Sequence, residues 1–303
     1  MGRVRVGISG WRYPGWRGNF YPPGLAQRRE LEYAASHFST LEINGTFYSL
    51  QRPESFAQWY HQTPRGFRFA VKGGRYITHF LKLKGIEAPL ANFFASGVLL
   101  LREKLGPILW QFPPKAAFDT DRFEAFLSLL PRNTTQAAAL AQGHDRKLRK
   151  DRAWTKADAA RPVRHAVEVR SDSFLVPEFI EMLRRHNVSL VVSDAASKWP
   201  TAEDVTASFV YIRLHGSRRL YVSGYTDKEL DRWAARVRVW SSGSEPRNAH
   251  VVSGPSPRAI GRDVYVYFDN TDVKLRAPID AANFARRVEN AIGLRRSPLR
   301  RSA

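Results

Sequence analysis

The chain has 303 residues, and its 48 Lys and Arg against 28 Asp and Glu give a formal net charge of +20. Apolar residues make up 43% of it, which excludes wholesale disorder and suits one large α/β barrel or two smaller domains. The lack of cysteine removes disulfides, thiolate nucleophiles and cysteine-held metal or iron–sulfur centres together. No run approaches the length of a membrane span and the start carries no apolar signal core, so a cytoplasmic protein with no membrane partner is expected. The basic excess attracts polyanions. Its densest blocks, Arg146 to Arg152 and Arg286 to Arg301, fall where a loop and a tail are expected, and a solvated surface is the simpler account of them.

Short β-branched or aromatic runs alternate with amphipathic segments along the whole length. Arg3–Gly10 reads as the first strand, followed by an aromatic loop from Trp11 to Gly24 and a helix with Leu31, Ala34, Ala35 and Phe38 on one stripe. Thr40–Tyr48 is the second strand, with a short helix after Pro53, and Phe67–Lys72 is the third, with a helix from Pro89. Ile108–Phe112 is the fourth, and Phe123, Phe126, Leu127 and Leu130 mark its helix. The pattern then lapses into a polar, basic insertion at about 131–164. His165–Arg170 is the fifth strand, with a helix from Pro177; Ser189–Asp194 is the sixth, and its return segment 195–208 is too short for a full helix. Phe209–Leu214 is the seventh, followed by a capping box at Thr226 and Glu229. Asp263–Phe268 is the eighth, a last helix ends at Gly293, and residues 294–303 read as a disordered basic tail.

Eight strand–helix units over residues 1–293 predict a single-domain TIM-type (β/α)8 barrel. No glycine-rich dinucleotide fingerprint follows the first strand, which argues against an open doubly wound sheet. One local competitor is a hairpin over residues 40–50, since Asn44-Gly45 lies between apolar runs.

Buried parallel strands are normally apolar on both faces. Here alternation sets Glu42, Asn44, Thr46 and Tyr48 on one face of the second strand and Lys72 with Arg68 on one face of the third. Gln111, Glu168 with Arg170, Asp194, and Arg213 with His215 continue the pattern towards the C-terminal strand ends, where barrel enzymes keep their sites. The charges nearly balance, so a ring of internal salt bridges closing the barrel is the structural alternative to a site. His79 and His215 are placed to add protons near neutral pH. Trp11 and the aromatics after it could wall a cleft, and Lys72-Gly73-Gly74-Arg75 could form an anion nest.

These residues together resemble a known family. Ser9-Gly10-Trp11, Leu41–Tyr48, Phe69–Lys72 with Thr78-His79, and Leu109 to Pro114 are similar in order and spacing to the YecE-like family, domain of unknown function 72. So are Glu168-Val169-Arg170, Arg213 to Gly216, and Tyr267-Phe268-Asp269-Asn270, and the likeness covers roughly residues 4–292. The resemblance implies a TIM-type barrel and brings no reaction with it.

The expected function is an enzyme acting on a small phosphorylated or carboxylated substrate by hydrolysis, elimination or isomerisation. Lys72, Arg170 and Arg213 would hold the anion, Glu42 or Glu168 would be the general base and His215 its acid partner. Trp11, Asn44, Tyr48, His79, Gln111, Asp194 and Asn270 would line the substrate. No cofactor is predicted; a divalent metal on Glu42, Glu168, Asp194 and His215 is chemically open, though the neighbouring cations oppose it. The alternative is a nucleic-acid-binding protein that grips phosphates with residues 144–164 and the tail and stacks bases on the aromatic loop.

Overall fold

The structure is a computed structural model, described over residues 1–256, 258–271 and 276–292. The tail expected at 294–303 lies outside the described residues. Eight parallel strands close into a barrel in chain order: β1 (Val4–Ser9), β2 (Thr40–Ile43), β3 (Arg68–Lys72), β4 (Leu105–Gln111), β5 (His165–Glu168), β6 (Ser189–Asp194), β7 (Phe209–Leu214) and β8 (Asp263–Phe268). The helices α1 (Glu30–His37), α2 (Gly45–Tyr48), α3 (Pro53–His61), α4 (Glu87–Ala95) and α5 (Thr120–Leu129) follow the first four strands. They are joined by α6 (Thr134–Ala141), α7 (Pro177–Arg185), α8 (Asp227–Ser241) and α9 (Ala277–Ile292). The chain is thus a single-domain TIM-type barrel. No helix among the described residues is long and apolar enough to cross a membrane.

Alternation divides the core in two. Ile8, Leu41, Val71, Trp110, Val167, Val192, Ile212 and Phe268 pack outward under the helices, in one large cluster with Phe56, Phe94 and Phe179. Ala70, Leu109, Ala166, Val191, Tyr211 and Tyr267 fill the inside as a second cluster. The barrel is therefore plugged by side chains rather than open, with Tyr211 and Tyr267 packed at a ring separation of 5.0 Å.

Two segments differ from the sequence expectation. The second strand stops at Ile43, and Asn44 takes helical angles (φ −86°, ψ −24°) to start α2, so the extended run to Tyr48 and the competing hairpin are both replaced by a helical turn. The turn leaves Tyr48 64% exposed instead of inside the barrel. The 131–164 insertion contains α6, capped by Asn133 through the Gln136 N–H at 2.8 Å, with Ala137, Ala138 and Ala141 buried. Hydrogen bonds from Asn92 to Asp145 and from the Trp154 N–H to the Ala95 carbonyl dock the insertion on α4.

The crossover from β6 to β7 carries no helix among the described residues. Its place is held by two buried acids, which also explains how so short a segment spans the gap. Glu203 accepts from the His250 N–H, and Asp204 accepts from the Val252 and Ser253 N–H groups, tying residues 195–208 to the long loop after α8.

Candidate active site

Parallel pairing puts cross-strand partners on the same face, so register identifies what points inward. Ser9 pairs with Glu42, Gln111 with Glu168, and Ser193 with Arg213. These residues, with Lys72 at the end of β3 and Asp269 just past β8, form the top layer of the barrel interior.

Arg213 is its hub and is fully buried. Its Nη1 donates to Glu168 Oε2 at 2.6 Å, and its Nη2 donates to Glu42 Oε1 at 2.8 Å and Asp269 Oδ2 at 2.9 Å. Glu42 also accepts from Ser9 Oγ at 2.5 Å and from the Tyr211 hydroxyl at 2.6 Å. Glu168 Oε1 accepts from Arg170 Nε at 2.9 Å. Burial works against the charge of Glu168 and of Asp269, but the Arg213 guanidinium outweighs it, aided at Glu168 by Arg170, and holds both carboxyls well below their usual range. No group of three or more His, Asp and Glu that could hold a metal occurs among the described residues.

A second set lies against this ring and reaches towards solvent. Lys72 is 8% exposed and makes no ion pair or hydrogen bond through its ammonium among the described residues; the charge rests 4.3 Å from the centre of the Phe47 ring. Burial first and the Arg213 charge second push its pKa down to about 8, against the pull of Glu42. Arg170 stacks on Trp199 at 4.0 Å and donates to the Tyr221 hydroxyl at 3.2 Å. Asn44 donates to Ser9 Oγ at 2.9 Å, while its buried Oδ1 has no partner. The Gln111 carboxamide has no hydrogen-bond partner among the described residues.

Neither histidine carries the proton expected of it. His215 is fully buried, with Nδ1 3.0 Å from Asp269 Oδ2 but out of line for a hydrogen bond, and Nε2 3.7 Å from Glu168. Burial and then Arg213 lower its pKa despite Asp269, so the ring is neutral at pH 7. His79, in a π-helical turn over Tyr76–Phe80, is pushed down to about 4 by burial and by Arg170, Lys72 and Arg75.

A family model described as "Protein of unknown function DUF72" matches residues 5–302. The chain belongs to the DUF72 family. Over 116 residues it is 31% identical to the UPF0759 protein YunF of Bacillus subtilis (strain 168), covering 37% of this chain and 40% of that protein. Over 131 residues it is 30% identical to the UPF0759 protein YecE of Escherichia coli (strain K12), covering 42% of this chain and 44% of that protein. The chain thus spans well under half the length of the curated relatives it matches. A DUF72 family protein of Thermotoga maritima MSB8 has a similar structure (TM-score 0.72, 25% identity, 95% of this chain and 99% of that one). One from Enterococcus faecalis V583 shares the fold at 18% identity (TM-score 0.65, 97% of this chain and 96% of that one).

In this DUF72 barrel, then, Glu42, Glu168, Arg213 and His215 meet in one sealed layer, and Asn44, Lys72, His79, Gln111 and Arg170 adjoin it. Two expected site residues, Asp194 and Asn270, stand elsewhere. Asp194 has the opposite parity: Ser193 takes the inward position, bonded by Trp199 Nε1 at 2.9 Å, and Asp194 turns to Trp233 on α8. Asn270 is buried and committed to Asp280 of α9 at 2.7 Å and to the Ser223 carbonyl. Trp11 packs edge-on against Trp59 at 5.5 Å and Tyr48 projects from the rim beside Arg75, and both line a cleft of about 370 Å³ together with Asn44. Of the amides in the Lys72-Gly73-Gly74-Arg75 turn, that of Gly73 is taken, since its N–H donates to the Leu109 carbonyl, and the Trp110 ring fills the space of a Cβ there.

Asp269, Tyr211 and Ser9 belong to the ring and were not singled out from the sequence as site residues. Extending the parity of β8 from Tyr265 through Tyr267 by two residues would have found Asp269.

Proposed function

We propose that the DUF72 chain is an enzyme that transfers a proton on a small anionic substrate at the C-terminal mouth of its barrel. The observation that carries this is Lys72: a buried lysine with no carboxylate partner and a pKa near 8 is an amine base available close to neutral pH. Arg170 offers a clamp for a carboxylate or phosphate, since its guanidinium reaches the solvent side while Glu168 and Trp199 hold it in place. The unpartnered Asn44 Oδ1 and the Gln111 carboxamide lie in the same layer as orienting groups. An amine base beside fixed cations suits abstraction of a proton next to the anionic group, which favours isomerisation or elimination. Glu42, Glu168 and Arg213 serve this site as its rigid floor, since both Arg213 Nη groups are held by the carboxylates.

The test is a screen of small carboxylates and phosphate esters by thermal shift and turnover on the wild type, K72M and R170Q. The reading requires binding that weakens in R170Q and turnover that is lost in K72M, with an apparent pKa near 8 in the wild-type rate profile. A Lys72 that titrates like an exposed lysine, at about 10.4, would remove the base and the proposal with it.

A second reading, binding of single-stranded nucleic acid, has one observation in its favour. Tyr48, Tyr76 and Phe80 are exposed on the rim, with Arg75 against Tyr48 and Phe80, and Lys147 against Tyr76. These, rather than the buried Trp16 and Tyr21 of the aromatic loop, are placed to stack on bases. Salt-sensitive binding of an oligonucleotide that falls in Y76A/F80A would favour it.

A further inference from the structure

At the other end of the barrel, where the strands begin, lies a cleft of about 450 Å³ lined by six arginines and two acids. Two of its arginines are spoken for: Arg164 pairs with Asp263 at 2.7 Å, and Arg161 holds both oxygens of Asp158. Its remaining acid, Glu103, accepts from the Tyr60 hydroxyl at 2.9 Å. Arg3, Arg5, Arg68 and Arg102 line the same cleft and make no ion pair among the described residues.

Arg5 is the most telling of these. It points into the barrel base with 9% of its surface exposed, and its guanidinium has one hydrogen bond among the described residues, from Nη1 to the Gly66 carbonyl at 3.0 Å. Arg68 Nη1 donates to the Phe67 carbonyl at 3.0 Å, and its pKa is lowered by burial and then by the charge of Arg5. Holding the buried Arg5 beside the partly buried Arg68 with no ion pair is costly unless something anionic neutralises them. Their planar forks match phosphoryl oxygens in pairs.

We propose that this basal cleft is a second anion site that binds a small polyphosphate, a ligand with two or three linked phosphoryl groups. Four unpaired arginines exceed what a monoanion balances, and the cleft has the size of a small-molecule pocket. The site is separate from the Lys72 mouth, because the packed layer of Ala70, Leu109, Tyr211 and Tyr267 lies between them.

The experiment is calorimetric titration of the full chain with sodium tripolyphosphate at fixed ionic strength. Saturable binding is expected, weakened about tenfold or more in R68Q/R102Q, as loss of two charge-assisted contacts implies, and unchanged in K228Q, which removes an exposed charge on α8. If R68Q/R102Q does not fold by circular dichroism, R102Q alone, whose side chain packs on the Tyr60 ring, must weaken binding in the same direction. No saturable binding by the wild type, equal binding by the arginine variants, or equal weakening in K228Q overturns the proposal.

Discussion

At the C-terminal end of the barrel interior, one guanidinium is shared by Glu42, Glu168 and Asp269; at the N-terminal end, Arg5 and Arg68 face a cleft without an ion pair. Both ends bury charge, but the upper charges are ion-paired with one another and Arg5 and Arg68 below make no ion pair among the described residues. Satisfied charge behaves as structure: it fixes geometry and loses its chemical freedom. Unsatisfied charge, at Lys72 on the margin of the upper ring and at the arginines below, is where a ligand has something to supply.

The contrast is broken most directly at Arg213. R213M leaves three buried carboxylates without their shared partner. It should cost about 3–5 kcal/mol, the usual effect of removing one member of a buried ion pair, read by urea unfolding. A loss under about 1 kcal/mol, typical of exposed pairs, would mean the ring is not a structural unit.

The next effect comes from acid. Glu168 and Asp269 have folded pKa values below their unfolded ones, so their stabilisation is full above the unfolded values and is lost as pH falls below them. Unfolding midpoints should drop steeply below about pH 4, and the drop should shrink in E168Q.

Lys72 gives the opposite sign. Its folded value of about 8 lies below the 10.5 of the free side chain, so between the two the unfolded chain binds the extra proton and stability rises with pH. The slope should approach about 1.4 kcal/mol per pH unit at most and flatten in K72M. A wild type with no such rise would return Lys72 to an ordinary paired lysine.

The smallest change belongs to the rim. Tyr48 is exposed and its ring contacts among the described residues are Phe47 and Arg75, so Y48A should alter stability by less than about 0.5 kcal/mol. A larger loss would show that the rim is packed more tightly than the ring contacts indicate.

The sequence by itself determined the barrel, because period-two apolar runs separated by amphipathic segments leave few ways to bury both faces of a parallel sheet. It also placed Glu42, Lys72, Glu168, Arg170, Arg213 and His215 at strand ends, since alternation needs only chain order. Asp194 escaped it because Ser193 and Asp194 are both polar, and only pairing with β7 says which of them faces Arg213. Tyr48 escaped because one helical turn at Asn44 ends the alternation that carried it inward. What the acids and cations do to each other was decided by tertiary structure alone. Whether a carboxylate is a base or a brace depends on how many donors converge on it, and those donors come from strands far apart in the chain.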